Sequence, residues 1–182
     1  MVERDDNDIL KDFGNPDLSN QAFKELIKKY QVRLYWHIRK MVIDHDDTDD
    51  ILQNTFIKIW KGLASFHGDS KLYTWLYRIA TNESLTFLKQ KKQRFFSPID
   101  DINNELSSKL ESDPYFDGDK AELKLQQAIL KLPYKQRLVF NMRYFDEIGY
   151  DEMSNILGTS AGALKASYHH AVKKIEEFVK LD

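Results

Sequence analysis

Apolar residues recur at steps of three and four along almost the whole chain, and nowhere do they alternate with period two. Phe23, Leu26, Ile27, Tyr30, Leu34, Ile38 and Met41 form one such stripe. Ile51, Leu52, Phe56, Ile59, Trp60 and Leu63 form a second, and Leu72, Trp75, Leu76, Ile79, Ala80 and Phe87 a third. A side chain returns to the same side of an α-helix every 3.6 residues, whereas a half-buried strand alternates, so this pattern predicts an all-α fold with no sheet.

At 182 residues, 42% hydrophobic and 31% charged, the chain suits one globular domain or two small ones. No segment offers the roughly 18 uninterrupted apolar residues that a membrane span needs, so no membrane insertion is expected. The opening "MVERDDNDIL" is acidic and has no apolar core, so no secretory leader is expected either. With no cysteine there is no disulfide, no thiolate zinc site and no cysteine nucleophile, and the natural setting is the cytoplasm.

The formal net charge of -2 conceals opposed patches. From Ser97 to Lys120, seven acidic residues face two basic ones, and this stretch holds two of the four prolines and few large apolar residues. It reads as an acidic linker. The expected organisation is an N-terminal helical domain over residues 1–95, a linker over 96–120 and a second helical domain over 121–182, with Pro133 suited to a first helical position.

The clearest motif lies near the C-terminus, in "YDEMSNILGTSAGALKASYHHAVKKIEEF". A short helix over 151–157 ends at Gly158, which supplies the left-handed conformation of a tight turn. Ser160 can then cap a longer helix buried through Leu164, Tyr168, Ala171, Val172 and Ile175. This is helix-turn-helix spacing, whose second helix enters the DNA major groove. Lys165, His169 and Lys173 make a polar stripe at steps of four, beside His170 and Lys174. A helical hairpin with a solvated basic face would use the same residues. Because the second helix begins "SAGA", base contacts would be few, and backbone amides, DNA shape and lysine–phosphate contacts would carry the binding.

In the N-terminal half, "KLYTWLYRIATNESLTFLKQKKQRFF" interleaves Tyr73, Trp75 and Tyr77 with six basic residues. Trp75 belongs to the apolar stripe and reads as core. Tyr73 and Tyr77 lie on another face and could stack on unpaired bases. The small polar loop "FHGDS" just ahead suits an extruded base. The aspartates Asp44, Asp46, Asp47, Asp49 and Asp50 precede the second stripe. Asp46, Asp47 and Asp50 have the DDxxD spacing that can hold magnesium, yet no second aspartate-rich motif faces them. A calcium loop fails, since Asp49 stands where glycine is required and Thr55 where glutamate is. The expected role is helix capping plus docking to a partner, with no metal, cofactor or catalytic residue.

Together, "DDILQNTFIKIWKGLASFHGDSKLYTWLYRIATNESLTFLKQKKQ" and "LPYKQRLVFNMRYFDEIGYDEMSNILGTSAGALKASYHHAVKKI" resemble, in that order, the second and fourth conserved regions of bacterial RNA polymerase sigma factors. The nearest group is the extracytoplasmic-function class, which keeps these two domains. The resemblance implies a non-enzymatic factor that binds RNA polymerase core, directs it to promoters and assists opening of promoter DNA. It implies that Asp50, Gln53, Asn54, Phe56 and Trp60 dock on the clamp of the largest catalytic subunit, Asn54 standing in for the usual glutamate. It further implies that Phe66, His67, Gly68, Asp69, Ser70 and Lys71 capture a flipped minus-ten base, with Tyr73, Tyr77 and Asn82 beside the same element. The helix from Ser160 matches the reader of the minus-thirty-five element, through Ser160, Ala161, Gly162, Ala163, Lys165, Ala166, His169, His170 and Lys173. Ser167 and His170 stand where arginines are common, so promoter preference does not carry over. The linker would thread the polymerase's RNA exit path, and an anti-sigma factor held between the domains is a further partner the family implies.

Overall fold

The computed structural model describes residues 4–95 and 120–180, with side chains described for 4–91 and 121–180. The expected linker over 96–120 lies outside the described residues apart from Lys120, which opens a helix. Among the described residues there are eight α-helices and no strand. They are α1 (Asp6–Phe13), α2 (Ser19–Val42), α3 (His45–Leu63), α4 (Leu72–Phe95), α5 (Lys120–Leu130), α6 (Tyr134–Tyr144), α7 (Tyr150–Leu157) and α8 (Ala161–Lys180).

The stripes decide the packing. Leu26, Leu34 and Ile38 of α2, Ile51 and Ile59 of α3, and Leu76 and Ala80 of α4 are all buried. Each large side chain so placed contributes about 1.5–3 kcal/mol from apolar surface removed from water. Gly62 lets α3 and α4 approach closely, since a Cβ there would lie 3.0 Å from Cζ2 of Trp75. The short α1 has no counterpart among the stripes, being only two turns long. Asp5 caps it, accepting from the Asn7 amide at 2.8 Å, and it rests on α2 through buried Ile9. Between α2 and α3 the chain turns at Ile43, whose φ of 65° is strained for a β-branched residue and is held by its buried side chain.

The C-terminal half has an apolar cluster of its own, built from Ala128, Ile129, Leu132, Phe140, Ala171 and Ile175. Its other apolar side chains face elsewhere. Leu138, Val139 and Met142 of α6, with Ile148, Met153, Ile156 and Leu164, join the cluster formed by α2, α3 and α4. The two halves therefore share one core, with α7 laid against α4 and α6 against α2.

Candidate functional site

Three surfaces carry the residues singled out from the sequence. The first is the outer side of α3. Asp44 takes extended backbone (φ -79°, ψ 136°) at the N-cap, and its carboxylate accepts from the Asp47 amide at 3.0 Å. Asp47 lies 3.3 Å from Lys91 Nζ on α4, and Asp49 lies 3.5 Å from His45 Nε2. Asp46 and Asp50 are exposed, and Asp46 lies in the first turn of α3, where the helix dipole favours negative charge. Among the described residues no group of three or more His, Cys, Asp or Glu is placed to hold a metal ion. The aspartates thus divide into a cap, an ion pair with Lys91, a contact with the His45 ring and two solvated charges.

Beyond them, Asp50, Gln53 and Asn54 are exposed on consecutive turns of one face. Phe56 is half-buried, and Trp60 keeps 38% of its surface open. Phe13 meets the Trp60 ring edge-on at 5.2 Å and Phe23 meets it at 4.9 Å, so α1 and α2 brace this indole from behind. Ile57 sits between the carboxamides and Trp60 at 45% exposure. Sequence reading missed it, although an apolar residue off the buried stripe was the available signal.

The second surface is the 64–71 loop with α4. Phe66 packs on Trp75 at 5.4 Å between ring centroids and anchors the loop. His67, Gly68, Asp69 and Lys71 are exposed and Ser70 half-buried, and Gly68 bends the chain at φ 79°. Asn82 is exposed, directly after the buried Thr81 on α4. Tyr73 and Tyr77 meet with ring centroids 4.7 Å apart and their planes tilted by 53°, but Tyr77 retains only 3% of its surface. Burial pushes both phenols well above their ordinary pKa, with the Asp146 carboxylate adding to the effect. Lys71 does not project freely either, since its Nζ lies 2.8 Å from Glu152 on α7.

The third surface is α7 with α8. Gly158 takes the left-handed conformation (φ 64°, ψ 27°) and its amide donates to the Ser154 carbonyl at 2.9 Å. The Ser160 hydroxyl accepts from the Ala163 amide at 3.4 Å, capping α8. Leu164, Ala171 and Ile175 face the core while Gly162, Ala163, Lys165, Ala166, His169, His170 and Lys173 face outward; Ser160 is exposed and Ala161 half-buried. The Tyr150 ring lies under both Arg143 (5.4 Å) and Lys165 (5.7 Å), which fixes where that lysine stands. Arg143 extends the cationic surface onto α6, where no motif pointed to it. The outward face of α8 is thus small at its N-terminus and basic further along.

Comparison with known proteins identifies the family. Sigma-70 region 2 matches residues 26–94, and sigma-70 region 4 matches residues 122–175. The chain is 31% identical to the ECF RNA polymerase sigma factor SigW of Bacillus subtilis over 156 residues, covering 81% of this chain and 83% of that one. It is 29% identical to the RNA polymerase sigma-H factor of Pseudomonas aeruginosa, covering 97% and 95%. In fold it is similar to CnrH, solved with the cytosolic domain of CnrY, at a TM-score of 0.69 and 22% identity, covering 97% of this chain and 98% of CnrH. It is equally similar to RpoE, solved with the anti-sigma factor NepR from Bartonella quintana, at 0.69 and 20%, covering 88% and 98%. Two sigma-70 regions in order, on an all-helical scaffold shared with solved sigma factors, place this chain in the sigma-70 family of RNA polymerase sigma factors, in its ECF class.

Proposed function

We propose that this protein is a transcription initiation factor that joins RNA polymerase core, brings it to promoters and assists opening of the DNA, with no bond chemistry of its own. The observation that carries the reading is the α3 face. Asp50, Gln53, Asn54, Ile57 and Trp60 stand exposed on one side of a helix whose other side is fully committed to the core. An exposed isoleucine and indole ringed by polar groups is the composition of a protein–protein anchor. Its partner is the clamp of the largest catalytic subunit.

The loop from Phe66 to Lys71, with Tyr73, Tyr77 and Asn82, would take the minus-ten element. The α8 face from Ser160 to Lys173 would take the minus-thirty-five element. Each DNA contact is modest, and joining both to one polymerase gives each a high effective concentration at the other. The division into 1–95, a 96–120 linker and 121–182 follows these roles. The work takes place in the cytoplasm; among the described residues no helix is long and apolar enough to cross a membrane. RpoE was solved with an anti-sigma factor, and a partner of that kind suits this chain too.

The decisive experiment combines the purified chain with RNA polymerase core and follows co-elution, then transcription from candidate promoters. Asp50→Ala with Gln53→Ala should weaken core association about ten-fold or more, while leaving helicity unchanged because both positions are solvated. Association untouched by this double change would overturn the assignment of the α3 face. No association by the wild-type chain would overturn the function.

A further inference from the structure

The short α1 precedes residues 26–94, the stretch matched to sigma-70 region 2, yet it touches the face proposed to dock on polymerase. Phe13, the last residue of α1, sets its ring edge-on to the Trp60 indole, with centroids 5.2 Å apart and planes at 88°. Phe23 of α2 meets the same indole at 4.9 Å and 74°. It closes the group by meeting Phe56 at 6.4 Å and Phe13 at 6.3 Å. Edge-to-face contacts are directional, because the positive rim of one ring is drawn to the negative face of the other. Two such contacts from different helices fix the plane of the indole as well as its position. A half-exposed indole without them would exchange among rotamers.

Phe13 can act in this way only while α1 stays in place, and a helix of 8 residues is too short to be stable by itself in water. Besides buried Ile9, a polar clip ties it to α2. The Arg4 guanidinium reaches Asp12 on α1 and Glu25 on α2, both at 2.7 Å, and the Arg4 carbonyl accepts from Lys29 Nζ at 2.6 Å. Lys29 Nζ also lies 2.9 Å from Asp6, whose carboxylate accepts from the Tyr30 hydroxyl at 2.7 Å. Glu25, Lys29 and Tyr30 all follow Phe23 on α2, so the clip registers α1 against the helix that carries the second ring.

We propose that α1 is a positioning element for core docking: Phe13, held by the Arg4 clip, orients Trp60 in the free protein so that the clamp meets an indole already in place. The inference deepens the proposed function and rests on it. A side chain ordered before binding loses no further freedom on binding, so the same contact area yields a tighter complex. Phe13 is half-buried behind the indole and acts through it.

The test uses the full chain labelled with 5-fluorotryptophan. Its three tryptophans, Trp36, Trp60 and Trp75, give three fluorine resonances, and Trp60→Phe identifies the one from Trp60. Phe13→Leu, which stays apolar but removes the ring, should shift or broaden the Trp60 resonance and leave that of Trp36 in place. It should also weaken core association about two- to ten-fold, with helicity unchanged by circular dichroism. Phe13→Tyr restores the ring and should recover both readouts. When Trp60→Ala is already present, Phe13→Leu should weaken association no further. If Phe13→Leu loses helicity, Arg4→Glu decides by the same readouts, since it sets a like charge against exposed Asp12 and Glu25 without touching the rings. An unshifted Trp60 resonance, a shift with association unchanged, or a loss that persists beside Trp60→Ala would overturn the positioning role while wild-type core association stands. A wild type that fails to associate with core, or Trp60→Ala associating as well as the wild type, would overturn the docking face and the positioning role with it.

Discussion

The carboxylate of Asp146 accepts a hydrogen bond from Nδ1 of His37 at 2.9 Å, joining residues 109 apart in the chain. Burial acts to raise the Asp146 carboxyl, and the hydrogen bond and charge of His37 together with Lys40 outweigh it, holding the group below its ordinary value of 3.8. A carboxyl depressed in the folded state contributes stability that is complete above its unfolded value. That contribution is lost as pH falls through the folded value. The wild type should therefore lose more stability than Asp146→Asn as pH drops from about 5 toward 2, read as two denaturant-midpoint curves that converge at the acid end. At neutral pH, Asp146→Ala should cost about 3 kcal/mol, because it leaves His37 and Lys40 facing an emptied buried site. Parallel curves would show that the pair contributes nothing to folding.

Asp44 and Asp46 are two residues apart and should respond differently. Asp44→Ala removes the cap on α3 and should cost about 1 kcal/mol. Asp46→Ala touches a solvated side chain and should stay within about 0.5 kcal/mol, with core association intact. Thermal melts of the two variants check this. Magnesium that raises the melting temperature of the wild type, but not of Asp46→Ala, would revive a metal role for the cluster.

Gly158 occupies left-handed backbone with nothing within 4 Å of where a Cβ would stand. The cost of Gly158→Ala is then conformational alone, about 1 kcal/mol or somewhat more. Gly158→Asn should recover part of it, since asparagine tolerates this region. Chemical denaturation that ranks glycine, asparagine and alanine in that order of stability is the expected result.

On α8, Lys165 and Lys173 are exposed, and the proposed function has them meet phosphates. In holoenzyme, replacing either with alanine should weaken binding to different promoters by similar factors. Each change should lower the slope of log affinity against log salt by about 1. A loss confined to one promoter sequence would mean that the lysine reads bases instead.

Much of this architecture is legible locally. The α2, α3 and α4 stripes follow from a period that only a helix satisfies, and Gly158 with Ser160 marks the turn and cap of the last helix pair. The docking role proposed for the α3 residues was legible only through the resemblance. Ile57 escaped because it lies off the buried stripe, and the period that marks core positions does not mark an exposed apolar one.

What the amino-acid order alone determines here is the set of helices, their buried sides and the turn chemistry between them, since each depends on neighbours within about four residues. Tertiary structure decides the rest. It turns a polar "DEIG" turn into a buried carboxylate, because His37 and Lys40 arrive from a helix more than a hundred residues away. It also takes Tyr77 out of solvent, because α2, α4 and the turn after α6 converge on one ring. Burial of a polar or aromatic side chain depends on which surfaces meet, and no local pattern encodes that meeting.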